Sequence, residues 1–433
     1  MTPQANFMLL APIIPARVPE LRRLLDSMID APGRVNPDNA LIPFASFEKL
    51  HFARLLILDD RTLGDAAIHG LPVPAYPLYL ALLGDVDGSE DGFLDELARR
   101  APAGLRAIFA CCEGYTPDTE LLAWMQRRRR PAIAAYVNAR GRTLRQVREE
   151  AALRDAIEAH LASQAPALAG LSPREIHARL RRFVDAEKSA GRLSLSGEEA
   201  TPVGWWIRDR LHLIGGPLLA LLATPLLILA APFYLLRLRR LETTDPAPAI
   251  PVELAYSEAL ALAEDRDFTN QYSALGSLKP GLLRRWTAIL VLAAVDYGVH
   301  HISRAGRLGR VRSIHFARWV FIDGYRRLCF FSNYDGSAES YMDDFINKAG
   351  FGLNVFSSNG IGYPRTNWLV LDGCADELRF KEFQRRHTLP TQVWYKAYPG
   401  LTAVDLERNT RIRRGLESAA MSDRESREWL ALL

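Results

Sequence analysis

Cysteine is scarce in this 433-residue chain: Cys111, Cys112, Cys329 and Cys374 are all there are. Two are adjacent and none stands at a metal-ligand spacing. That excludes a disulfide framework and suits a reducing compartment. Net charge is also small, +4 at pH 7, too little for attraction of the whole chain to nucleic acid. Familiar catalytic signatures are missing: no Walker A loop, no G-x-S-x-G, no H-E-x-x-H and no C-x-x-C. Asn359-Gly360-Ile361-Gly362 opens no clear helix and reads as a turn. Met1-Thr2-Pro3-Gln4 offers no basic n-region, and Phe7–Ile14 is too short and too Pro-punctuated for a signal peptide. The expectation is a chain made in the cytoplasm and facing it.

What is present is an internal repeat. Leu50-His51-Phe52-Ala53-Arg54 returns as Ile314-His315-Phe316-Ala317-Arg318, and Asn6 returns as Asn270 at the same separation. Asp87-Gly88-Ser89, Gly104-Leu105 and Gly114-Tyr115 return as Asp335-Gly336-Ser337, Gly352-Leu353 and Gly362-Tyr363 at a second constant separation. One length difference between the two middle strands aligns all five anchors. The first copy reads as strand 7–14, helix 18–28, strands 51–58 and 76–83, helix 89–100 and strand 105–111. The second reads as strand 271–278, helix 282–303, strands 313–322 and 328–333, helix 337–348 and strand 353–357. Ser89, followed by Glu90 and Asp91, is the expected N-cap of its helix. The expected fold class is therefore α+β: a duplicated ferredoxin-like βαββαβ module. Leu55–Leu58 and Trp319–Ile322 are apolar on both faces, so the two sheets are expected to face each other.

Between the copies, residues 211–236 contain no Asp, Glu, Lys or Arg, a run long enough to cross a bilayer core. Trp205, Trp206 and Tyr234 are placed as interfacial aromatics, and arginines flank both ends. A single span would separate the two copies across the membrane, which basic flanks at both ends oppose. A buried core helix is the other reading, and Pro217, Pro225 and Pro232 count against it; a kinked re-entrant hairpin or a monotopic insertion keeps both copies together and is the expectation. The region ahead of it is helical and basic. Thr143 with Gln146 forms a capping box, and Ser172-Pro173 opens a helix carrying Arg174, Arg179, Arg181 and Arg182. These arginines are either a solvated face or a contact with anionic headgroups; aromatic interleaving for nucleic acid is absent. The domain division is 1–117, 118–204, 205–242, 243–269, 270–365 and 366–433.

Residues able to carry chemistry concentrate in the second copy. His315 begins a buried strand, and Arg318 is expected on that strand's opposite face, buried against a carboxylate, with Asp335 the first choice of partner. Asn333 precedes Asp335, and Arg365 follows Tyr363-Pro364. His301, beside His300 at a helix end, and His387 in the C-terminal extension are the candidate cofactor ligands. Each also has a purely structural reading: strand-end histidines, turn and cap aspartates, helix-end histidines.

A duplicated module with facing sheets resembles the dimeric α+β barrel group, which includes dye-decolorising peroxidases and chlorite-dismutase-like haem proteins. The resemblance is one of topology over 6–115 and 270–363. Asp335-Gly336 supplies the last two residues of the peroxidases' G-x-x-D-G motif, whose first Gly this sequence lacks. Ile314–Trp319 together with Ser332–Ser337 is also similar to a set of bacterial membrane-associated proteins without a defined activity. Two readings follow. One is a membrane-associated oxidoreductase, with haem as candidate cofactor, acting on a lipid or other apolar small molecule. The other is a non-catalytic membrane-bound binding or scaffold protein.

Overall fold

The computed structural model describes residues 1–31, 33–303, 308–418 and 421–433. In chain order, the strands that build its two large sheets are β1 (Gln4–Pro12), β2 (Leu50–Leu58), β3 (Tyr79–Asp87), β4 (Ala134–Val137), β5 (Thr269–Ser277), β6 (Ile314–Ile322), β7 (Arg327–Asp335) and β8 (Val393–Lys396). The α-helices are α1 (Val18–Asp26), α2 (Glu90–Arg100), α3 (Pro102–Phe109), α4 (Leu121–Arg127), α5 (Leu144–Leu168), α6 (Pro173–Ser189), α7 (Val203–Thr244), α8 (Leu254–Ala261), α9 (Leu282–Tyr297), α10 (Ala338–Ser357), α11 (Glu377–His387), α12 (Ala403–Glu417) and α13 (Asp423–Leu430).

The sheets run β1-β3-β2-β8 and β5-β7-β6-β4, antiparallel throughout. Their registers match. Phe7 lies opposite Gly84 and Tyr272 opposite Ser332; Asn6 lies opposite Asp85 and Gln271 opposite Asn333. The structural counterpart of Asn6 is thus Gln271, one residue from the Asn270 that string matching selects. Gly84 is required: a Cβ there would sit 2.5 Å from the Phe52 carbonyl oxygen and 2.7 Å from the Phe7 ring. The inner faces meet directly. Met8, Leu56 and Leu83 of one sheet form a buried cluster with Leu275, Val320 and Phe331 of the other. Both His-Phe-Ala-Arg strands are central, because each is paired on both sides.

Each sheet is completed by a strand from the other half of the chain. β4 pairs with β6, and β8 pairs with β2. The helices that follow them, α5 and α12, share a small core: Leu153, Ile157, Ile412 and Leu416 cluster with Leu180, Val184 and Trp429. The expected caps form, with Ser89 accepting from the Gly92 N–H and capping boxes at Thr143 and Ser172. Arg174, Arg179 and Arg182 are exposed.

Three expectations are corrected. Residues 105–111 are not a strand: Pro102 starts α3 there, and Gly104 packs against the Leu41 backbone, where a Cβ would lie 1.9 Å from its oxygen. Residues 353–357 are the last turn of α10. Neither copy therefore closes as βαββαβ within its expected bounds. On the side of β1 away from β3, among the described residues, lie backbone bonds at Glu113 and at Arg128 and Arg130, separated by α4. Finally, the uncharged run is no hairpin. α7 continues through all three prolines for 42 residues, about 63 Å at 1.5 Å per residue. Its apolar window is unburied.

Candidate functional site

Two buried arginines meet between the sheets. Arg318 is 3% exposed; it donates to the Phe7 carbonyl at 2.8 Å and to the Asp85 carboxylate. Arg54 donates to the Tyr272 carbonyl at 2.8 Å, Ser273 Oγ at 2.9 Å, the Ser332 carbonyl at 2.9 Å, and Asn333 Oδ1. The Asn333 amide donates to Asp85 Oδ2 at 3.1 Å, which closes the network. One carboxylate thus serves two guanidinium groups. Burial and the neighbouring Arg318 pull the Arg54 pKa down to about 9, against the attraction of Asp85. Burial raises the Asp85 carboxyl, against the pull of both arginines.

The expected Arg318–Asp335 pair is therefore corrected: Arg318 reaches across the sheets to Asp85. Asp335 is held at the end of β7 by His315 Nε2 at 2.8 Å, Thr269 Oγ1 at 2.9 Å and the Ala403 N–H at 2.6 Å. The first sheet repeats this arrangement, since Asp87 binds His51 Nε2 at 2.9 Å and the Leu144 N–H at 2.7 Å. Ala403 and Leu144 are the first residues of α12 and α5, where free N–H groups and the helix dipole favour a carboxylate. The histidines do not face away from the arginines as alternation predicts. The register shifts at His51 and His315, and such a bulge re-aims its side chain. His51 accordingly lies 5.5 Å from the Phe316 ring of the other sheet, and His315 lies 5.4 Å from Phe52.

The structure thus brings His315, Asp335, Arg318 and Asn333 to the sheet interface and separates the rest. Arg365 is exposed and donates to the Asp245 carbonyl at 3.1 Å, just past α7. His301 Nε2 lies 2.9 Å from His212 Nδ1 on α7. His387 is buried at the end of α11, and its Nδ1 lies 2.7 Å from the Phe383 carbonyl.

His387 also borders an apolar cavity between the outer face of the second sheet and α10 and α11. A second lies between α9 and α10. Trp319, Phe345, Leu353 and Phe356 line both. The buried Trp319 Nε1 has no hydrogen-bond partner among the described residues. Sequence reasoning placed Trp319 on a doubly buried strand but did not see this space. The signal was the spacing of Phe345 and Phe356, about three helical turns apart on one helix and so on the same face.

Haem does not fit these residues. His301 and His387 border different regions and cannot share one ligand. The His387 ring lies over Gly276, with Cδ2 2.7 Å from where a Cβ would stand. Among the described residues, no Lys or Arg lines either cavity to meet propionates. Neither cavity is lined by His315, Arg318, Asn333 or Asp335. Among the described residues, no group of three or more His, Cys, Asp or Glu could hold a metal ion. Comparison with known proteins adds no relative: no family model, curated protein or solved structure matches the chain.

Proposed function

We propose that this is a monotopic membrane-surface protein that binds an apolar ligand taken from the bilayer. The observation that carries the reading is the course of α7. Its N-terminal part, with Arg208, Asp209 and His212, walls a crevice with Gln4, Val137 and Arg140 of the body. Along its length, the Tyr297 hydroxyl donates to the Leu213 carbonyl at 3.1 Å, and the Tyr234 and Thr287 hydroxyls lie 2.5 Å apart. At its far end the Glu242 carboxylate accepts from Thr366 Oγ1, the Trp368 N–H and the Leu369 N–H. A helix pinned to one body at both ends and along its middle lies flat rather than crossing a bilayer core of about 30 Å. Its exposed leucines, with Trp286 and Leu290 of α9, make an apolar face rimmed by arginines, as in-plane helices have. Both sheets then stay on the cytoplasmic side.

The cavities supply the ligand site. They lie directly behind α9 and α10, are lined mainly by apolar side chains, and hold one unsatisfied donor, Trp319 Nε1. That combination suits a long apolar molecule with one acceptor oxygen. The His–Asp pairs and paired arginines are buried in the sheet interface and hold it together, with His315 Nδ1 left without a hydrogen-bond partner among the described residues; none of them lines either cavity. This favours binding over the oxidoreductase reading. The matched registers and exchanged edge strands support reading the chain as a duplicated ferredoxin-like unit whose halves each lend the other a strand.

Single cysteines at Arg210→Cys and Arg240→Cys test the topology, because the four native cysteines are buried. In sealed vesicles carrying the protein, both positions should react alike with an impermeant reagent added outside. Opposite accessibility would establish a span and overturn the reading.

A further inference from the structure

The region just past α7 holds more positive charge than its carboxylates can balance. Lys279 and Arg284 are 7% and 1% exposed. With Arg365, Thr366, Glu242 and Asp245 they wall a small pocket. Among the described residues, Asp245 is the acid within ion-pair reach of these two cations: Arg284 Nη2 lies 2.6 Å from its Oδ2, and Lys279 Nζ lies 3.9 Å away. Glu242 is already engaged by Thr366, by the N–H groups of Trp368 and Leu369, and by Arg239 at 3.4 Å. Arg284 Nε and Nη1 are buried with no hydrogen-bond partner among the described residues. A buried guanidinium with two idle donors is costly unless an anion meets it. Three cations converging on one small pocket suit a tetrahedral oxyanion, whose several oxygens can take donors from each.

We propose that this pocket binds a phosphate group, and that the phosphate is the headgroup of an anionic membrane lipid. The second step rests on the membrane-surface reading; the first does not. The surroundings argue for a lipid. Leu236, Leu282, Trp286, Trp368 and Leu371, on the segments that carry or adjoin the pocket, are all exposed. They give acyl chains an apolar surface next to the charge. Arg239 stacks over the Trp368 ring at 5.7 Å, the pairing of tryptophan and arginine typical of a headgroup boundary.

The test uses the full chain in detergent, with its melting temperature followed against three probes: inorganic phosphate, dihexanoyl phosphatidic acid and dihexanoyl phosphatidylcholine. A ligand that binds the folded state raises the melting temperature. Phosphatidic acid should do so at lower concentration than inorganic phosphate, and phosphatidylcholine should not. Arg284→Gln would strand Asp245 and risks unfolding, so Lys279→Met and Arg365→Gln are the informative variants. Each should weaken the response to phosphatidic acid about tenfold or more, the loss expected for one charge-assisted contact, while staying folded without ligand, Lys279→Met at or above the wild-type melting temperature. Equal potency of inorganic phosphate and phosphatidic acid would keep the phosphate site and overturn the lipid source. A response to phosphatidylcholine equal to that to phosphatidic acid, no response to any probe, or a response unchanged in both variants would overturn the site. Because no vesicle is involved, these outcomes are independent of whether α7 lies flat.

Discussion

Asp85 and Asn333 occupy the same place in the two sheets, opposite Asn6 and Gln271, and they touch each other across the interface at 3.1 Å. Only one carries a charge. Two carboxylates at this separation would repel, and two amides would leave both arginines without a counterion. The pair as it stands gives Arg318 a direct carboxylate and gives Arg54 the amide oxygen and backbone carbonyls.

Asp85→Asn should therefore cost about 3–5 kcal/mol, because it strands two buried positive charges. Arg318→Met alone should destabilise less, because Asp85 loses its direct partner but keeps the attraction of Arg54. The double variant should be milder than the sum, with a coupling of at least about 1 kcal/mol, measured by denaturant titration. Strict additivity would show that the pair does not interact as described.

Lys279 sets a pH dependence. Burial and the Arg284 charge bring its pKa down from 10.5 to about 8. The groups facing it are Arg284, Arg365, Asp245 and Glu242. Below pH 8 the lysine is charged in both states, and folding bears the full cost of burying that charge. Between about 8 and 10.5 the unfolded chain binds more protons, so the stability withheld by Lys279 returns as pH rises. The melting temperature of the wild type should rise relative to Lys279→Met across that window. Parallel profiles would place the lysine in solvent.

Salt separates apolar from electrostatic attachment. Screening weakens the arginine flanks but not the exposed leucines of α7. The protein should stay with membranes through a high-salt wash. Leu226→Glu with Leu229→Glu should release it without loss of fold, since both side chains are exposed. Full recovery of the wild type in the salt wash would remove the basis for membrane attachment.

The central strands were legible because a repeated four-residue string fixes a facing pattern, and a one-residue slip would invert it. The bulge at His51 and His315 hid within that same string, since an extra residue leaves the order of residue types unchanged. Residues 105–111 misled because a short apolar run reads equally as strand or helix; Pro102 at the helix start was the arbiter. The exchanged strands β4 and β8 are four residues each. Nothing local in Ala134–Val137 says which of two similar sheets it joins. Arg318 was rightly expected to be buried, but its partner is 233 residues away on the other sheet. Lys279, Arg284 and Asp245 are scattered in sequence and meet only because α7 ends where α9 begins.

The ligand cavities give the sharpest test, because one position can be filled without touching the framework. Gly352 lines the cavity between α9 and α10, lies within α10, and a Cβ built on it meets nothing within 4 Å. Gly352→Leu should raise helix stability by about 0.5–1 kcal/mol while its side chain occupies ligand space. The variant should melt at or above the wild-type temperature, and native mass spectrometry of the full chain in detergent should show co-purified apolar molecules on the wild type and none on the variant. Trp319→Phe is the companion: it keeps an aromatic wall and removes Nε1 together with part of the ring, so a ligand with an acceptor oxygen should weaken severalfold, by at least about 0.5–1.5 kcal/mol. If Gly352→Leu retains its ligand undiminished, the molecule is bound elsewhere and the cavity is not the site.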